Sequence, residues 1–142
     1  MTDDAGTDSE SGGAQEHFRA LERLYAQAPI NRLFESRLEI AAAGAVHGTS
    51  YFKMLDDAAF YAANSLVSDR FILTTAFNLL FTKPLKSGPV IAEGRWVSGK
   101  RRVFVADARL IDSEGDEIAR GTGTFMRSHI PLATLPGYRK DD

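Results

Sequence analysis

One long apolar segment, followed by four strand-like segments, most constrains how this chain can fold. Across residues 50–67 the apolar side chains recur at the three- and four-residue spacing of an α-helix. Beyond them, stretches rich in β-branched and aromatic residues alternate with short turns near 83–88, 99–101 and 112–115. Because short connections join antiparallel neighbours, the pattern predicts one long helix on an antiparallel sheet, which is an α+β arrangement.

The same pattern predicts one domain with a tail at each end. Residues 1–13 are rich in Asp, Ser, Thr and Gly and are expected to be disordered, since they cannot bury apolar surface. The domain is expected to span residues 14–128, and residues 129–142 are expected to be irregular. The predicted elements are helices 14–27 and 50–67 and strands 33–40, 71–82, 89–98, 102–111 and 117–127.

The composition excludes several classes of function. The 142 residues include no cysteine, which removes disulfides, thiol nucleophiles and cysteine zinc sites. The three histidines have no metal-ligand spacing, so neither a metal nor a cofactor is expected. A net charge of −2 argues against nucleic-acid binding. The acidic N-terminus is unlike a signal peptide, and no apolar run reaches the ~20 residues of a membrane helix, so a cytoplasmic protein is expected.

Asp56 is a carboxylate at a position where the long helix should be apolar. On a helical wheel of ~100° per residue, the positions within about 60° of Phe52 are Leu55, Ala59, Ala63 and Leu66. Asp56 falls inside that stripe, whereas its neighbour Asp57 falls on a flank, so Asp56 should be the more desolvated of the two. It is either a structural hydrogen-bonding group or a general base or nucleophile.

The turn that precedes the helix offers a complementary feature. Gly48 allows a ligand to approach the backbone closely, and the free N–H groups around Gly48 and Thr49 would sit at the positive end of the helix dipole. Such donors suit an oxyanion or a polarised carbonyl oxygen, although Gly48 could also simply shape the turn while Thr49 or Ser50 caps the helix. Gly48 and Asp56 are about 12 Å apart along a helix, so one substrate could meet both only if two copies packed across a two-fold axis.

These residues resemble a known family. The run from His47-Gly48-Thr49 to Asp56, continuing to Asn64-Ser65, is similar to the helix signature of PaaI-like hotdog-fold acyl-CoA thioesterases. Residues 78–85, the turn at 99–102 and residues 121–125 fit the family's later pattern in the same order. The resemblance covers roughly residues 43–127.

The resemblance implies a hotdog fold, in which an antiparallel sheet of about five strands wraps one long central helix, assembled as a homodimer or homotetramer. It implies hydrolysis of an acyl-CoA thioester to a free acid and coenzyme A. The implied catalytic residues are Asp56 as base or nucleophile, the Gly48 amide on the thioester carbonyl, His47 mainly in positioning, and Thr82 near a water-orienting hydroxyl. The implied substrate-binding residues are Thr49, Asn64 and, for the phosphates of coenzyme A, Lys83, Lys100, Arg101 and Arg102.

Three departures from the family pattern leave a second function open. Thr49 stands where relatives have glycine, which narrows the approach to the carbonyl. Residues 41–43 are alanines and supply no side-chain donor, although relatives often have Asn or Gln in that region. The segment before His47 has room for only one strand. The missing Asn or Gln motivates the alternative function, which is a non-catalytic module that binds acyl-CoA or an acyl-carrier protein.

Overall fold

The computed structural model describes residues 7–27, 41–42, 45–46, 48–85 and 87–139. In chain order its elements are α1 (Thr7–Gln27), β1 (Ala41–Ala42), β2 (Ala45–Val46), α2 (Gly48–Asn64), β3 (Arg70–Phe81), β4 (Ile91–Ser98), β5 (Val103–Ile111), β6 (Glu117–Pro131) and a 3₁₀ turn (Leu132–Thr134). No helix in these described ranges combines the length and the apolar character that crossing a membrane requires.

Four antiparallel strands form the main sheet, and the long helix lies on one of its faces. The strand order is β3-β6-β5-β4, so β3 and β4 are the outer strands of the sheet as described. Among the described residues, the short strands β1 and β2 pair only with each other. The core between α2 and the sheet is made of fully buried side chains from both layers, including Leu55, Ile72, Phe104, Leu110, Ile118 and Phe125. This is the predicted α+β layer arrangement.

The face that α2 buries differs from the predicted stripe at its two ends. Leu55, Ala59 and Ala63 are fully buried as expected. Phe52 and Leu66 are not, because 39% and 56% of their surfaces are exposed, and Leu66 lies beyond the end of the helix. The buried face is therefore centred on Leu55, Ala59 and Ala63. Phe52 and, one turn further, Asp56 lie at the border of the core.

A glycine permits very close contact between α2 and the sheet. A Cβ atom built on Gly94 in β4 would overlap the carbonyl group of Ala58 in the helix backbone. Ala58 and Ala59 present only methyl groups on this side, so the helix backbone can settle directly on the strand. This contact fixes the height of α2 above the sheet and hence the distance from its side chains to the neighbouring strands.

The helix and the strand at the two ends of the domain extend beyond their predicted bounds. Helix α1 begins at Thr7, within the segment expected to be disordered, rather than at residue 14. Strand β6 continues to Pro131 instead of ending at 127, because Arg70 at the start of β3 still pairs with that last residue. The predicted strand 33–40 lies outside the described residues.

We expect Gly94→Ala to destabilise the protein strongly. Overpacking of a core typically costs about 1–3 kcal/mol, and here the added methyl group meets helix backbone, which has no rotamer to escape into, so a loss of at least about 3 kcal/mol is expected. Urea unfolding measures it. Gly12→Ala in α1 is the control, since nothing lies within 4 Å of that position. Equal stability of the two variants would contradict the close contact.

Candidate active site

The candidate site lies along the contact between α2 and β3, which we call the seam. Several pairs of residues from the two elements meet there. A Cβ atom on Gly48 would lie 3.2 Å from the Phe81 ring. The Phe52 and Phe77 rings meet edge to face with centroids 5.6 Å apart. One helical turn further, the Thr74 hydroxyl donates a 2.8 Å hydrogen bond to Asp56 Oδ1. The helix thus runs from the Phe81 end of β3 towards its beginning, and Asp56 faces the strand.

A β-bulge in β3 brings Thr74 to the seam. Thr74 pairs with Phe125 and Ala76 with Thr124, so Thr75 is an extra residue between them. Side chains alternate along a strand, and one extra residue reverses which of them face the helix. Ile72 and Thr74 face α2 before the bulge, whereas Phe77 and Phe81 do so after it. Bulges are common beside active sites because they redirect a side chain in this way.

Asp56 is a partly buried carboxyl group with a perturbed affinity for protons. Desolvation raises its pKa above the ordinary value for Asp, and the negative charge of Asp57 acts in the same direction. The hydrogen bond from Thr74 and the positive charge of Lys53 lower the pKa, but they do not cancel the effect of burial. A carboxyl group with a raised pKa is a better proton acceptor when ionised, which suits a general base.

Asp57 has a different environment from its neighbour, as the helical wheel predicts. Its Oδ2 lies 2.6 Å from the Lys53 ammonium, one helical turn back, and the two side chains form an ion pair. The Lys53 ammonium also lies 5.3 Å from the centre of the Tyr25 ring on α1. Lys53 is thereby engaged on the far side of the helix, and Asp56 keeps Thr74 as its hydrogen-bond partner on β3.

The N-terminal end of α2 is held in place by aromatic residues. The Tyr51 and Phe81 ring centroids are 5.5 Å apart, and the Tyr51 hydroxyl accepts a 2.6 Å hydrogen bond from the Leu85 amide. These contacts anchor the start of the helix to the segment that follows β3. Gly48 is the first residue of this helix, which begins two residues before the predicted start at 50 and ends at Asn64 instead of 67, and Thr49 beside it is exposed. His47 lies outside the described residues.

Gly48 and Asp56 belong to one straight stretch of α2, so the structure does not bring them together within one chain. The eight residues between them correspond to about 12 Å of helix axis at ~1.5 Å per residue. A single carbonyl group cannot reach both in one protomer.

Within one protomer, Thr82 and Asn64 do not lie where the predicted roles need them. The Thr82 hydroxyl donates to the Glu117 carbonyl at 2.8 Å, and Thr82 follows the end of β3 opposite to the Thr74 end. Eight residues of extended strand put about 26 Å between them, so within one protomer the hydroxyl that meets Asp56 is that of Thr74. Asn64 is fully buried, and its side chain is already bonded to the Val67 and Arg70 carbonyls and to an amide of β3. It is a structural residue with no surface for a substrate.

Lys83 is not available for phosphate binding. Its ammonium group lies 2.8 Å from Asp116, 3.0 Å from Asp112 and 3.3 Å from Glu114. Those three carboxylates, which have oxygens within 4.8 Å of one another, could otherwise suggest a metal site. The lysine occupies the position of a cation among them, and the hydrogen bonds to the carboxylates raise its pKa.

Lys100, Arg101 and Arg102 form the exposed turn between β4 and β5. The row of paired residues nearest to this turn runs from Val103 through Met126 to Leu73, which is the neighbour of Thr74 in β3. The basic turn therefore lies at the end of the sheet that carries the Asp56–Thr74 pair, about two strand spacings, or ~10 Å, across from it. Arg127, next to that row, pairs with Asp69.

A cavity of about 690 Å³ lies on the other face of the sheet. Its charged side chains are engaged with one another, as in the pairs Arg109–Glu93 at 2.8 Å and Arg95–Asp107 at 3.7 Å. Neither Asp56 nor Gly48 lines it. We place the site at the α2–β3 seam because the perturbed carboxyl group and its Thr74 partner are there.

Sequence reasoning missed Thr74 as the partner of Asp56. The two consecutive threonines at 74 and 75, within an otherwise apolar strand, were an available signal. The bulge gives the two hydroxyls different partners. Thr74 donates to Asp56 on the helix, whereas Thr75 donates to the Thr124 carbonyl of the neighbouring strand β6 at 3.0 Å. A bulge position cannot be read from strand alternation alone, since each register looks equally regular in the sequence.

Comparisons with known proteins agree with this architecture. Residues 43–119 match the family model described as the thioesterase superfamily. A Saccharolobus solfataricus protein named "Putative esterase SSO1253" is 30% identical over 109 residues, which are 77% of this chain and 71% of that protein.

Among solved structures, the PaaI protein from the phenylacetic acid degradation operon of E. coli is similar with a TM-score of 0.73 and 15% identity, over 83% of this chain and 97% of that one. The smu.793 protein of Streptococcus mutans UA159, solved bound to acetyl CoA, has a TM-score of 0.57 and 22% identity, over 63% and 71% of the two chains. At these identities the likeness concerns the fold, and it confirms the hotdog arrangement. The main sheet has four described strands rather than about five.

We expect Thr74→Val to raise the pKa of Asp56 further. Valine keeps the shape of threonine but cannot donate the hydrogen bond that favours the ionised carboxylate. A ¹³C NMR titration of the Asp56 carboxyl carbon measures the change. Thr75→Val is the matched control, because its hydroxyl serves the Thr124 carbonyl instead. The assignment is wrong if both variants move the titration equally or if neither does.

Proposed function

Because this chain belongs to the thioesterase superfamily, we propose that it hydrolyses an acyl-CoA thioester to a free acid and coenzyme A. Membership supports thioester hydrolysis as the general reaction. Asp56 is the base or nucleophile of the proposed reaction, and the Gly48 amide polarises the thioester carbonyl. The observation that carries the proposal is a partly buried carboxyl group of raised pKa, aligned by Thr74 beside an apolar surface.

The chemistry needs an acceptor for one proton and a donor for one developing oxyanion. As a base, Asp56 removes a proton from water while the water oxygen adds to the thioester carbon. The oxygen of the tetrahedral intermediate is stabilised by the Gly48 N–H at the helix N-terminus. When the C–S bond breaks, protonated Asp56 returns the proton to the leaving thiolate. As a nucleophile, Asp56 would instead form an acyl anhydride that water then hydrolyses.

A pair of protomers resolves the 12 Å separation of Asp56 and Gly48. In the described structure β3 has a strand neighbour on one side only, and β3 together with Phe52 carries exposed apolar side chains, namely Leu73 (46%), Leu80 (63%), Phe81 (55%) and Phe52 (39%). A long apolar edge strand of this kind readily pairs with another chain. If two β3 strands pair antiparallel about a two-fold axis near their middle, the Thr74 end of one lies against the Phe81 end of the other. Asp56 of one protomer then faces Gly48 of its partner.

The basic turn at Lys100, Arg101 and Arg102 is the proposed contact for the phosphates of coenzyme A. It is exposed and lies at the sheet end nearest Asp56, and these side chains add three positive charges there. The Streptococcus mutans relative was solved with acetyl CoA, which supports a coenzyme A ester as the substrate class. Thr49 borders the proposed carbonyl site, and His47 keeps its proposed positioning role before the helix.

We expect Asp56→Asn to lower thioester hydrolysis by at least about 10²-fold, the usual contribution of a general base or more. Thiol release from short, long and aromatic acyl-CoAs measures it. The matched control is Asp57→Asn, which removes the neighbouring carboxylate but leaves the Asp56–Thr74 bond in place. Equal activity of wild type and Asp56→Asn would reject the assignment of Asp56.

The fold of Asp56→Asn should be at least as stable as the wild type at neutral pH. The native pKa of Asp56 is raised, so the ionised carboxylate opposes folding above that pKa, and the penalty disappears as the pH falls and the native group takes up its proton. Urea unfolding of the two proteins from neutral pH to below the pKa of Asp56 checks the sign of this stability difference.

If the wild type binds acyl-CoA and melts at a higher temperature without releasing thiol, the protein is instead a binding module.

Mixed oligomers test whether the site is shared between protomers. Gly48→Pro removes one amide donor, and proline is tolerated at the first helical position. Asp56→Asn and Gly48→Pro should each be nearly inactive alone. An equal mixture of the two, refolded together, should recover about a quarter of wild-type activity. Half of the dimers are then mixed, and each mixed dimer has one of its two sites built from an intact Asp56 and an intact Gly48. No recovery would reject the proposal that Asp56 and Gly48 of different protomers form one site.

A further inference from the structure

His17 is a buried histidine of α1 that links three separate parts of the chain. Its Nε2 lies 2.9 Å from the Asn64 carbonyl oxygen, and its Nδ1 lies 2.7 Å from the Tyr138 hydroxyl. A carbonyl oxygen can only accept, so Nε2 carries a hydrogen and donates it to the Asn64 carbonyl, while the Tyr138 hydroxyl also lies 3.2 Å from the Ser68 carbonyl in the α2–β3 connection. The imidazole therefore joins α1 and the C-terminal segment to the last residue of α2.

Asn64, the residue that His17 contacts, controls how α2 connects to β3. Its Nδ2 donates to the Val67 carbonyl at 2.9 Å and to the Arg70 carbonyl at 3.2 Å. Its Oδ1 accepts from the Ile72 amide at 3.2 Å. All of these groups are inside the protein, where an unmade hydrogen bond is costly, so the side chain fixes the start of β3 relative to the end of the helix.

The fixed segment ends two residues before Thr74. Ile72 is fully buried and held by Asn64, and Thr74 is the next residue of β3 that faces the helix. Ile72 and Thr74 are only two residues apart along one strand, at about 3.3 Å per residue. A small shift at Ile72 would therefore move the Thr74 hydroxyl away from Asp56 by a comparable amount. A hydrogen bond of 2.8 Å between groups on two different elements cannot tolerate such a shift.

We propose that His17 is a positioning residue, which acts through Asn64 to hold Thr74 against Asp56. Its consequence for turnover rests on the function proposed above, whereas its effect on the carboxyl group does not. His17 and Tyr138 both lie outside the segment that matches the family model, residues 43–119. The flanks of this chain thus take part in shaping the site that the matched segment contains.

The alternative is that His17 only anchors α1. That helix has other ties to the C-terminal segment, since Arg23 donates to the carbonyls of Gly137 at 3.3 Å and Tyr138 at 3.0 Å. Arg23 also pairs with Glu16 on its own helix and makes no described contact with Asn64. Arg23→Gln is therefore a control that loosens α1 without disturbing the connection to β3.

Two substitutions of His17 separate its two hydrogen bonds. Glutamine places an amide N–H close to the position of Nε2 and can still donate to the Asn64 carbonyl, whereas asparagine reaches only the position of Nδ1. Tyr138→Phe removes the hydroxyl partner with little change of volume, together with the bond that this hydroxyl donates to the Ser68 carbonyl at 3.2 Å. The set His17→Asn, His17→Gln, Tyr138→Phe and Arg23→Gln distinguishes positioning from anchoring.

The first readout is the NMR titration of the Asp56 carboxyl group, without substrate. The charges that act on this group come from its own helix, Asp57 and Lys53, and β3 contributes the Thr74 hydroxyl. None of these is altered by the substitutions. In His17→Asn the weakened Thr74 bond should move the titration midpoint to higher pH, His17→Gln should restore it towards wild type, and Tyr138→Phe should shift it less in the same direction.

The second readout is thioester hydrolysis well below the melting temperature. His17→Asn should lower kcat about tenfold with little change in KM, because a misplacement of the reacting groups slows chemistry more than binding. Arg23→Gln should lower the melting temperature but leave kcat and the Asp56 titration as in wild type.

An unchanged Asp56 titration in His17→Asn, or an equal loss in His17→Gln, would overturn the positioning role. If His17→Asn does not fold, Tyr138→Phe decides, and the absence of any shift there would have the same meaning. A shifted titration in a protein that hydrolyses no thioester would support the positioning role while rejecting the proposed function. A shifted kcat with an unshifted titration would reject the route through Thr74.

Discussion

The packing of α2 directly on the sheet is the contact on which the other features depend. Gly94 and the alanines around Ala58 remove the side chains that would otherwise separate the helix backbone from β4. With the helix backbone this close to the sheet, one face of the helix is buried and only a narrow border beside it is partly exposed to solvent. Asp56 lies on this border, which explains how a carboxyl group can be desolvated enough to raise its pKa and still be reached from outside.

The seam between α2 and β3 then determines the chemistry. Its contacts are aromatic at the Gly48 end, where Phe81 and Tyr51 meet, and polar only where Thr74 reaches Asp56. The single extra residue at the bulge creates this division by reversing the alternation of β3. The mixed surface of apolar rings and one aligned carboxylate suits an acyl group beside a reacting carbonyl, which is the combination that the proposed reaction requires.

Precision at this seam has to be supplied from elsewhere, because one hydrogen bond does not hold two elements in register. The buried network of His17, Asn64 and Tyr138 lies at the far end of α2 and fastens the beginning of β3. Chain segments from both termini contribute to it. The proposed site thus has one part that the helix carries by itself and a second part that depends on the connection between helix and strand.

The sequence alone determined the layer arrangement, the position of the long helix, the four strands after it and the distinction between Asp56 and Asp57, because these follow from periodicity and turn residues along one element at a time. It did not determine which hydroxyl meets Asp56, that Asn64 is saturated by backbone groups, or that three carboxylates neutralise Lys83. Those facts depend on strand register, on a bulge and on loops that meet in space. Hydrogen bonds and ion pairs of this kind join residues distant in the chain, and only the tertiary structure decides which of the many possible partners lies within reach.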